Sequence, residues 1–190
     1  MKSDRSINRT KEEPRESRGA KATFQSRVAY KDCRGAVEWL EKAFGFKTTM
    51  LATDSDDKVV YAEMTFGNGQ LHIGGEWEKV KAPSSVGGAN TQTISVQLED
   101  GIEAHCEKAR AAGGTIVQAP ADQFHGDRTY RVIDPQGHTW SFSQRLREVT
   151  AEEMEAAVPG MRVWTRPLKG ARTPSRTPKV RRGRAALKGS

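Results

Sequence analysis

Polar side chains that could do chemistry alternate with apolar ones in two segments of the chain. His72 is flanked by apolar residues in QLHIGG, and Ser141 stands between Trp140 and Phe142 in HTWSFS. Because the side chains of a strand alternate between its two faces, each segment would place its polar residues on one face. A sheet with such a face turned inward would line a pocket. We therefore treat His72 and Ser141 as candidate pocket residues, with the Trp140 ring covering the apolar part of a ligand.

Charged side chains offer two further kinds of chemistry. Glu63, in the strand segment KVVYAEMTF, would be the best general base if it faced a cavity, because burial raises the pKa of a carboxyl group. Otherwise it is an ordinary exposed strand residue. Arg128 and His125 lie at a strand entrance in HGDRTY, where they could grip an anionic ligand. The alternative is a local salt bridge with Asp127 that shapes this loop.

The chain repeats itself at a fixed distance, which indicates an internal duplication. Residues in matching structural roles recur at a spacing of 68: Asp32 and Asp100, Ala36 and Ala104, Ala43 and Ala111, Gly45 and Gly113, and Gly69 and Gly137. The elements around these pairs predict two β-α-β-β-β modules, residues 23–76 and 91–145, joined by a Pro-, Gly- and Ser-rich linker at 76–90. The expected fold class is α+β, with the paired modules forming an open, barrel-like sheet around a pocket.

The helix ends are also predicted by the sequence. Asp32 follows the first strand and is a natural N-cap, and Gly45 is placed to end the helix that follows. By the repeat, Asp100 should open the second helix, at 101–112. The last hairpin turns at 134–137, where Asp-Pro-Gln-Gly supplies the preset φ of proline and the conformational freedom of glycine.

The two ends of the chain differ in charge from the middle. Of the net charge of +7, residues 1–22 carry +3 and residues 166–190 carry +9, so that 23–165 carries −5. Residues 1–22 have almost no apolar side chains and predict a disordered extension. The basic tail at 166–190 predicts weak, sequence-independent nucleic-acid binding through phosphate contacts. The alternative is a solvated tail that aids solubility.

The remaining features concern the surroundings of the protein. No stretch approaches the apolar length of a membrane helix, and the N-terminus lacks the apolar segment of a signal peptide. The two cysteines, Cys33 and Cys106, suggest neither a disulfide framework nor a metal motif. We therefore expect a cytoplasmic location and no membrane partner. Within residues 146–165, Thr150 followed by Glu153 predicts a capping box and a short helix.

These features resemble the vicinal oxygen chelate superfamily, which contains glyoxalase I, extradiol dioxygenases, and the bleomycin- and fosfomycin-resistance proteins. The resemblance covers residues 23–145 and rests on the duplicated modules, the aspartates that precede both helices, and the DPQGHTW hairpin. The segments AVEWLEKAFGF and GDRTYRVIDPQGHTWSF are especially similar to glyoxalase-like members of unassigned reaction. The resemblance implies a pocket between the modules that binds a small organic molecule.

In metal-using members of this superfamily, ligands come from the first and last strands of each module. The matching positions here are Gln25, Thr93, Ser141 and, one residue out of the repeat spacing, His72. One imidazole, one amide and two hydroxyls are a poor set for a divalent transition metal, with His72 the one strong ligand. The resemblance thus implies a binder without a full metal site. A metal-dependent lyase or dioxygenase is the alternative, and a nucleic-acid-associated protein acting through its tail is the second.

The resemblance also implies a homodimer. Each module leaves sheet edges that need covering, and members of the superfamily commonly pair modules within or between chains. The linker at 76–90 is long enough for either arrangement. The sequence leaves open which of the two occurs, which ligand is bound and whether a reaction is catalysed.

Overall fold

A computed structural model describes residues 22–164 of the chain. The first module contains β1 Gln25–Tyr30, α1 Cys33–Phe44, β2 Lys47–Thr53, β3 Val59–Phe66 and β4 Gly69–Gly75. A short 3-10 helix, Pro83–Val86, lies in the linker. The second module contains β5 Thr93–Leu98, α2 Ile102–Ala111, β6 Thr115–Asp122, β7 Asp127–Ile133 and β8 Thr139–Arg145. The helix α3 Ala151–Ala157 follows.

Each module forms its own four-stranded mixed sheet, which confirms the α+β class and the duplicated β-α-β-β-β order. The strand orders are β1-β4-β3-β2 and β5-β8-β7-β6. In each sheet the first and last strands of the module are parallel, and the other pairs are antiparallel. The two sheets do not close into a barrel within the described chain. Each module therefore contributes a separate sheet with two edge strands of its own.

The strand register explains why His72 falls one residue outside the repeat spacing. His72 pairs with Glu63 on β3, and Ser141 pairs with Arg131 on β7. Glu63 and Arg131 keep the spacing of 68, but the second hairpin holds one residue more than the first. His72 and Ser141 therefore occupy equivalent places in the two sheets.

The two helices begin differently, although the repeat predicts the same start for both. The side chain of Asp32 accepts a hydrogen bond from the backbone N–H of Gly35 at 3.0 Å, which confirms the predicted N-cap of α1. The expectation that Asp100 opens α2 in the same way is wrong. Gly101 is the N-cap there, with a φ of 68° that favours glycine, and no side chain caps from that position. Instead, the side-chain oxygen of Gln144 accepts the N–H of Ile102 at 3.0 Å.

One hydrophobic core joins both modules. The ring of Phe44, at the end of α1, packs against Trp39, Trp140 and Phe142 with centroid distances of 4.8, 5.2 and 4.6 Å. These side chains are buried or half-buried, and the apolar faces of both sheets contribute to the same cluster. Because the apolar face of each sheet is directed to this core, the polar face of each sheet lies on its far side.

Hydrogen bonds on the core side fix the modules to each other. The indole N–H of Trp39 donates to the carbonyl of Ala112 at 2.7 Å. The ring of His105, on α2, lies between the carbonyl of Phe44 at 3.0 Å and the hydroxyl of Tyr130 at 2.6 Å. Burial lowers the pKa of His105, which keeps the imidazole neutral between these two oxygens.

The turn after β7 carries a second buried link between the modules. The carboxylate of Asp134 accepts hydrogen bonds from the hydroxyl of Tyr30 at 2.7 Å and from the indole N–H of Trp140 at 3.1 Å. It also accepts the backbone N–H groups of Gln136 and His138, each at 2.9 Å. His138 is buried, as expected for a turn or core histidine. Tyr30 belongs to the first module, so this carboxylate joins residues that are far apart in sequence.

Residues 149–164 form a unit of their own. The predicted capping box is present there: the Thr150 hydroxyl accepts the Glu153 N–H at 3.2 Å, and the Glu153 carboxylate accepts the Thr150 N–H at 2.7 Å. No helix in residues 22–164 is long and apolar enough to cross a membrane. The basic tail at 166–190 and nearly all of the predicted extension at 1–22 lie outside the described residues.

Candidate functional site

The polar face of the first sheet gathers several side chains from three neighbouring strands. A hydrogen-bonded chain runs across it: Gln25 donates to Gln70, and Gln70 donates to Glu63 at 3.2 Å. The hydroxyl of Tyr61 donates to the other oxygen of Glu63 at 3.3 Å. Partial burial, followed by the negative charge of Glu63, raises the pKa of Tyr61, so that this phenol stays a donor. The face therefore holds the Glu63 carboxylate between two neutral donors.

His72 lies at the centre of the same face. It pairs with Arg27 on the parallel strand β1 and with Glu63 on the antiparallel strand β3. The ring of Tyr61 meets its imidazole edge-on, with centroids 5.6 Å apart. Its Nε2 is the one buried side-chain nitrogen or oxygen atom in the described chain that lacks a hydrogen-bond partner. Such an atom is expensive to bury, and its position on a polar face is typical of a binding surface.

The polar face of the second sheet has a different chemistry. It carries mainly hydroxyl and amide side chains around Arg131, which is exposed and is the equivalent of Glu63. Ser143 donates to the side chain of Gln97 at 3.1 Å. Ser141 lies beside Arg131 on the neighbouring strand, and Ser95 lies on the far side of Ser141. This face can therefore hydrogen-bond a neutral or weakly polar ligand over most of its width.

The predicted site residues fall into three groups in the structure. Gln25, Glu63 and His72 share the first polar face, and Thr93 and Ser141 share the second. Among the described residues, no strand pairing or hydrogen bond joins these two sets, which lie on separate sheets. The two remaining candidates, Arg128 and Trp140, lie elsewhere.

Arg128 is engaged in ion pairs, with Asp122 at 2.6 Å and with Glu103. The pKa values of Asp122 and Glu103 are lowered, first by their hydrogen bonds to this guanidinium. These ion pairs match the alternative of a local salt bridge, although Arg128 does not pair with Asp127. Asp127 instead lies 3.7 Å from the imidazole of His125. Trp140 has no exposed surface and donates its N–H to Asp134. Ligand contacts of both residues stay predictions, and the burial of Trp140 gives that prediction no support.

A cleft of about 1450 Å³ lies between the first module and the edge strand β5. Its lining includes core-side residues, among them Phe46, Phe66, Val96 and His105. Among the predicted pocket residues, Thr93 lines this cleft. The lining also includes Gln70 of the first polar face and Ser95 and Gln97 of the second, so the cleft reaches the edges of both faces.

The residues at the family's metal positions do not fit a transition-metal site. Within residues 22–164, no group of three His, Cys, Asp or Glu side chains is placed to hold a metal ion. Gln25 and His72 lie on one sheet, while Thr93 and Ser141 lie on the other. An amide oxygen and two hydroxyls are weak ligands for zinc or nickel, and this set offers a single imidazole.

Sequence reasoning placed Arg27 on the same strand face as Gln25 but did not select it, Tyr61 or Gln70 as a site residue. The signal was present in the strand alternation, since Arg27 is two residues from Gln25 and Gln70 is two residues from His72. Their hydrogen bonds and ring contacts depend on cross-strand register, which the sequence alone did not supply.

The duplicated modules and their two mixed sheets define a β-α-β-β-β protein of the glyoxalase type. The chain belongs to the Glyoxalase/Bleomycin resistance protein/Dioxygenase superfamily, whose family model matches residues 23–142. The Mycobacterium bovis protein Mb0911c is 32% identical over 132 residues, which cover 67% of this chain and 86% of that protein.

Solved structures agree with this assignment. TioX from Micromonospora sp. ML1 is 29% identical, with a TM-score of 0.53 over 65% of this chain and 98% of its own. TnmS3, an antibiotic binding protein from Streptomyces sp. CB03234, has a TM-score of 0.50 over 64% of this chain and 93% of its own. At 15% identity, the likeness to TnmS3 concerns the fold alone.

Proposed function

We propose that this protein binds a small organic molecule between two polar sheet faces, without a full metal site. The observation that carries the proposal is the first face, where a connected network of Gln25, Gln70 and Glu63 lies beside His72, whose buried Nε2 has no hydrogen-bond partner. Networks of amides, one carboxylate and nearby rings orient organic ligands in protein pockets. The hydroxyl-rich second face supplies a complementary wall for hydrogen bonding.

In this proposal, the first and second polar faces that enclose one ligand belong to different chains of a homodimer. One chain uses the apolar faces of both sheets to build its shared core, so its two polar faces point away from that core. The strands β1 and β5 are edge strands of their sheets. Pairing of β1 with β5 of the partner subunit would cover both edges and turn the first face of one chain toward the second face of the other. We call this the exchanged arrangement.

The family membership supports a small molecule as the ligand. The superfamily is named in part for bleomycin resistance, and TnmS3, which shares the fold, is an antibiotic binding protein. The alternatives remain a metal-dependent lyase or dioxygenase, in which Glu63 would be the general base, and nucleic-acid binding through residues 166–190. The cytoplasmic location is likewise a prediction. The donor set described above favours the binder over the metalloenzyme.

A thermal-shift screen tests this proposal. The full-length protein is dialysed against a chelator and screened with antibiotics and other small aromatic metabolites, with and without added zinc or nickel. A ligand at a hundred times its Kd stabilises the folded state by about 2.7 kcal/mol, which raises the Tm measurably. We expect hits in the absence of metal, and we expect them to be lost in Glu63→Ala and kept in Glu152→Ala, an exposed position on α3.

The opposite pattern would contradict the binder. If stabilisation by a ligand requires added metal and disappears in His72→Ala, the result would favour the alternative function, a metal-dependent lyase or dioxygenase. Hits that are unaffected by Glu63→Ala would place the ligand outside the first polar face.

A further inference from the structure

Arg27, on the first polar face, packs against aromatic rings and forms no ion pair with an acidic residue of the described chain. The guanidinium carbon of Arg27 lies 4.4 Å from the ring centroid of Trp77 and 5.9 Å from that of Tyr61. Among the ion pairs of the described residues, none involves Arg27, whereas Arg34, Arg110, Arg128 and Arg145 each have an acidic partner. Stacking on aromatic faces occupies the plane of a guanidinium and leaves its N–H edge free to donate.

The backbone beneath Arg27 is shaped for this side chain. A Cβ atom added at Gly74 would lie 2.8 Å from one terminal nitrogen of Arg27 and 3.2 Å from its Nε. The guanidinium therefore rests directly on a glycine, and a larger residue would displace it. At the next residue, Gly75, an added Cβ would meet nothing within 4 Å. This contrast indicates that the space above Gly74 holds the cation in a defined place.

The nearest acid on this face does not neutralise Arg27. Glu63 lies two strands away, on the other side of His72, which at the usual strand spacing is roughly 10 Å. Its carboxylate already accepts hydrogen bonds from Gln70 and Tyr61. A preorganised guanidinium with free donors is suited to a planar oxyanion, which it can bind through two parallel hydrogen bonds.

We propose that Arg27 binds the carboxylate of an organic acid whose apolar body rests against the exposed part of the Trp77 ring. This inference rests on the proposed function and adds the chemical class of the ligand. A carboxylate is favoured over a phosphate because Glu63, on the same face as Arg27, repels a second negative charge. Trp77 is 41% exposed, so an apolar group can cover it.

Benzoate serves as the probe, and benzamide serves as its neutral counterpart. The full-length protein, labelled with ¹⁵N, is titrated with each compound, and the Arg27 Nε–H and the backbone amides of β1 and β4 are followed by NMR. We expect saturable shifts with benzoate and binding of benzamide weaker by roughly tenfold or more, the usual effect of a hydrogen-bonded charge. Phenylphosphonate, at a pH where it is a dianion, should bind more weakly than benzoate.

Matched variants separate the role of Arg27 from general effects of charge and folding. Arg27→Gln should weaken benzoate binding roughly tenfold, while Arg34→Gln, which removes the same charge from the surface of α1, should leave it unchanged. Gly74→Ala should weaken binding with the guanidinium still present, and Gly75→Ala should not.

Three results would overturn the inference. Equal affinities for benzoate and benzamide, or an unchanged affinity of Arg27→Gln for benzoate, would be compatible with small-molecule binding. Either result would rule out recognition of a carboxylate by Arg27. Tighter binding of phenylphosphonate would assign the site to phosphate groups. The absence of any saturable shift on this face would refute an organic-acid site at Arg27, whereas the proposed function is decided separately by the screen and its Glu63→Ala variant.

Discussion

Replacing Asp134 with asparagine should destabilise the protein more than its small change in size suggests. The carboxylate is 4% exposed and accepts four hydrogen bonds, two from side chains and two from backbone N–H groups. In Asp134→Asn the oxygen can still accept the backbone groups, and the Tyr30 hydroxyl can turn to accept from the new amide. The indole of Trp140 is a donor only, so it would face another donor.

The magnitude follows from these contacts. A buried donor left without a partner costs about 1–3 kcal/mol, and the remaining bonds lose the extra strength that a charged acceptor gives them. Relief from burying a charge offsets part of this loss. We therefore expect the free energy of unfolding to fall by about 2–4 kcal/mol. Burial and Asp134 raise the pKa of Tyr30 well above its ordinary value, so this phenol is protonated throughout the usable pH range.

Urea denaturation followed by far-UV circular dichroism measures this change. All variants are compared at one protein concentration, because a dimer makes apparent stability depend on concentration. Tyr30→Phe is the matched control: it removes one donor and leaves the carboxylate with three, so its loss should be smaller, about 1–2 kcal/mol. If Asp134→Asn lies within about 0.5 kcal/mol of the wild type, the carboxylate is not the link that the geometry indicates.

Three further predictions use other parts of the molecule. Gly114→Ala should lower the free energy of unfolding by about 1–3 kcal/mol, because its Cβ would lie 2.8 Å from a Val132 methyl group, while Gly75→Ala should change it little in the same urea experiment. Because the pKa of His105 is lowered in the folded state, the unfolded chain binds a proton more readily, and the free energy of unfolding should fall as the pH drops below about 6.5. This decrease should be smaller in His105→Gln, and an equal pH dependence of the free energy of unfolding in both proteins would contradict the prediction. Purified protein should carry well under one equivalent of transition metal by mass spectrometry, and a stoichiometric metal that disappears in His72→Ala would contradict this.

Local sequence signals predicted the architecture well, because the determinants of a strand, a cap or a turn lie within a few residues. The alternation around His72 and Ser141 placed both on polar faces, and Asp32 was identified as a cap. The repeat misled at Asp100, where a glycine with a positive φ follows and carries the N-cap instead. Two modules with the same pattern can thus begin their helices with different backbone conformations.

Contacts between modules could not be predicted in this way. The partners Tyr30 and Asp134 are 104 residues apart, and periodicity does not say which turn a buried hydroxyl will meet. For the same reason Trp140 was expected beside a ligand, although its alternation with Ser141 equally allows the core position that it occupies. The assignment of both apolar faces to one core decides which surfaces remain for binding, and that assignment is a property of the packed chain.

A complementation experiment tests the central proposal, a ligand site shared by two chains, most directly. Glu63→Trp blocks the first polar face, and Ser141→Trp blocks the second, so homodimers of either variant should not bind a ligand found in the screen. Differently tagged chains are refolded together, and the mixed dimer is purified and titrated by calorimetry. In the exchanged arrangement each site combines the first face of one chain with the second face of the other. One site of the mixed dimer therefore contains both tryptophans and the other contains neither, so the mixed dimer should bind one ligand with the wild-type affinity. A mixed dimer that binds nothing, or a protein that stays monomeric while binding the ligand, would contradict the account.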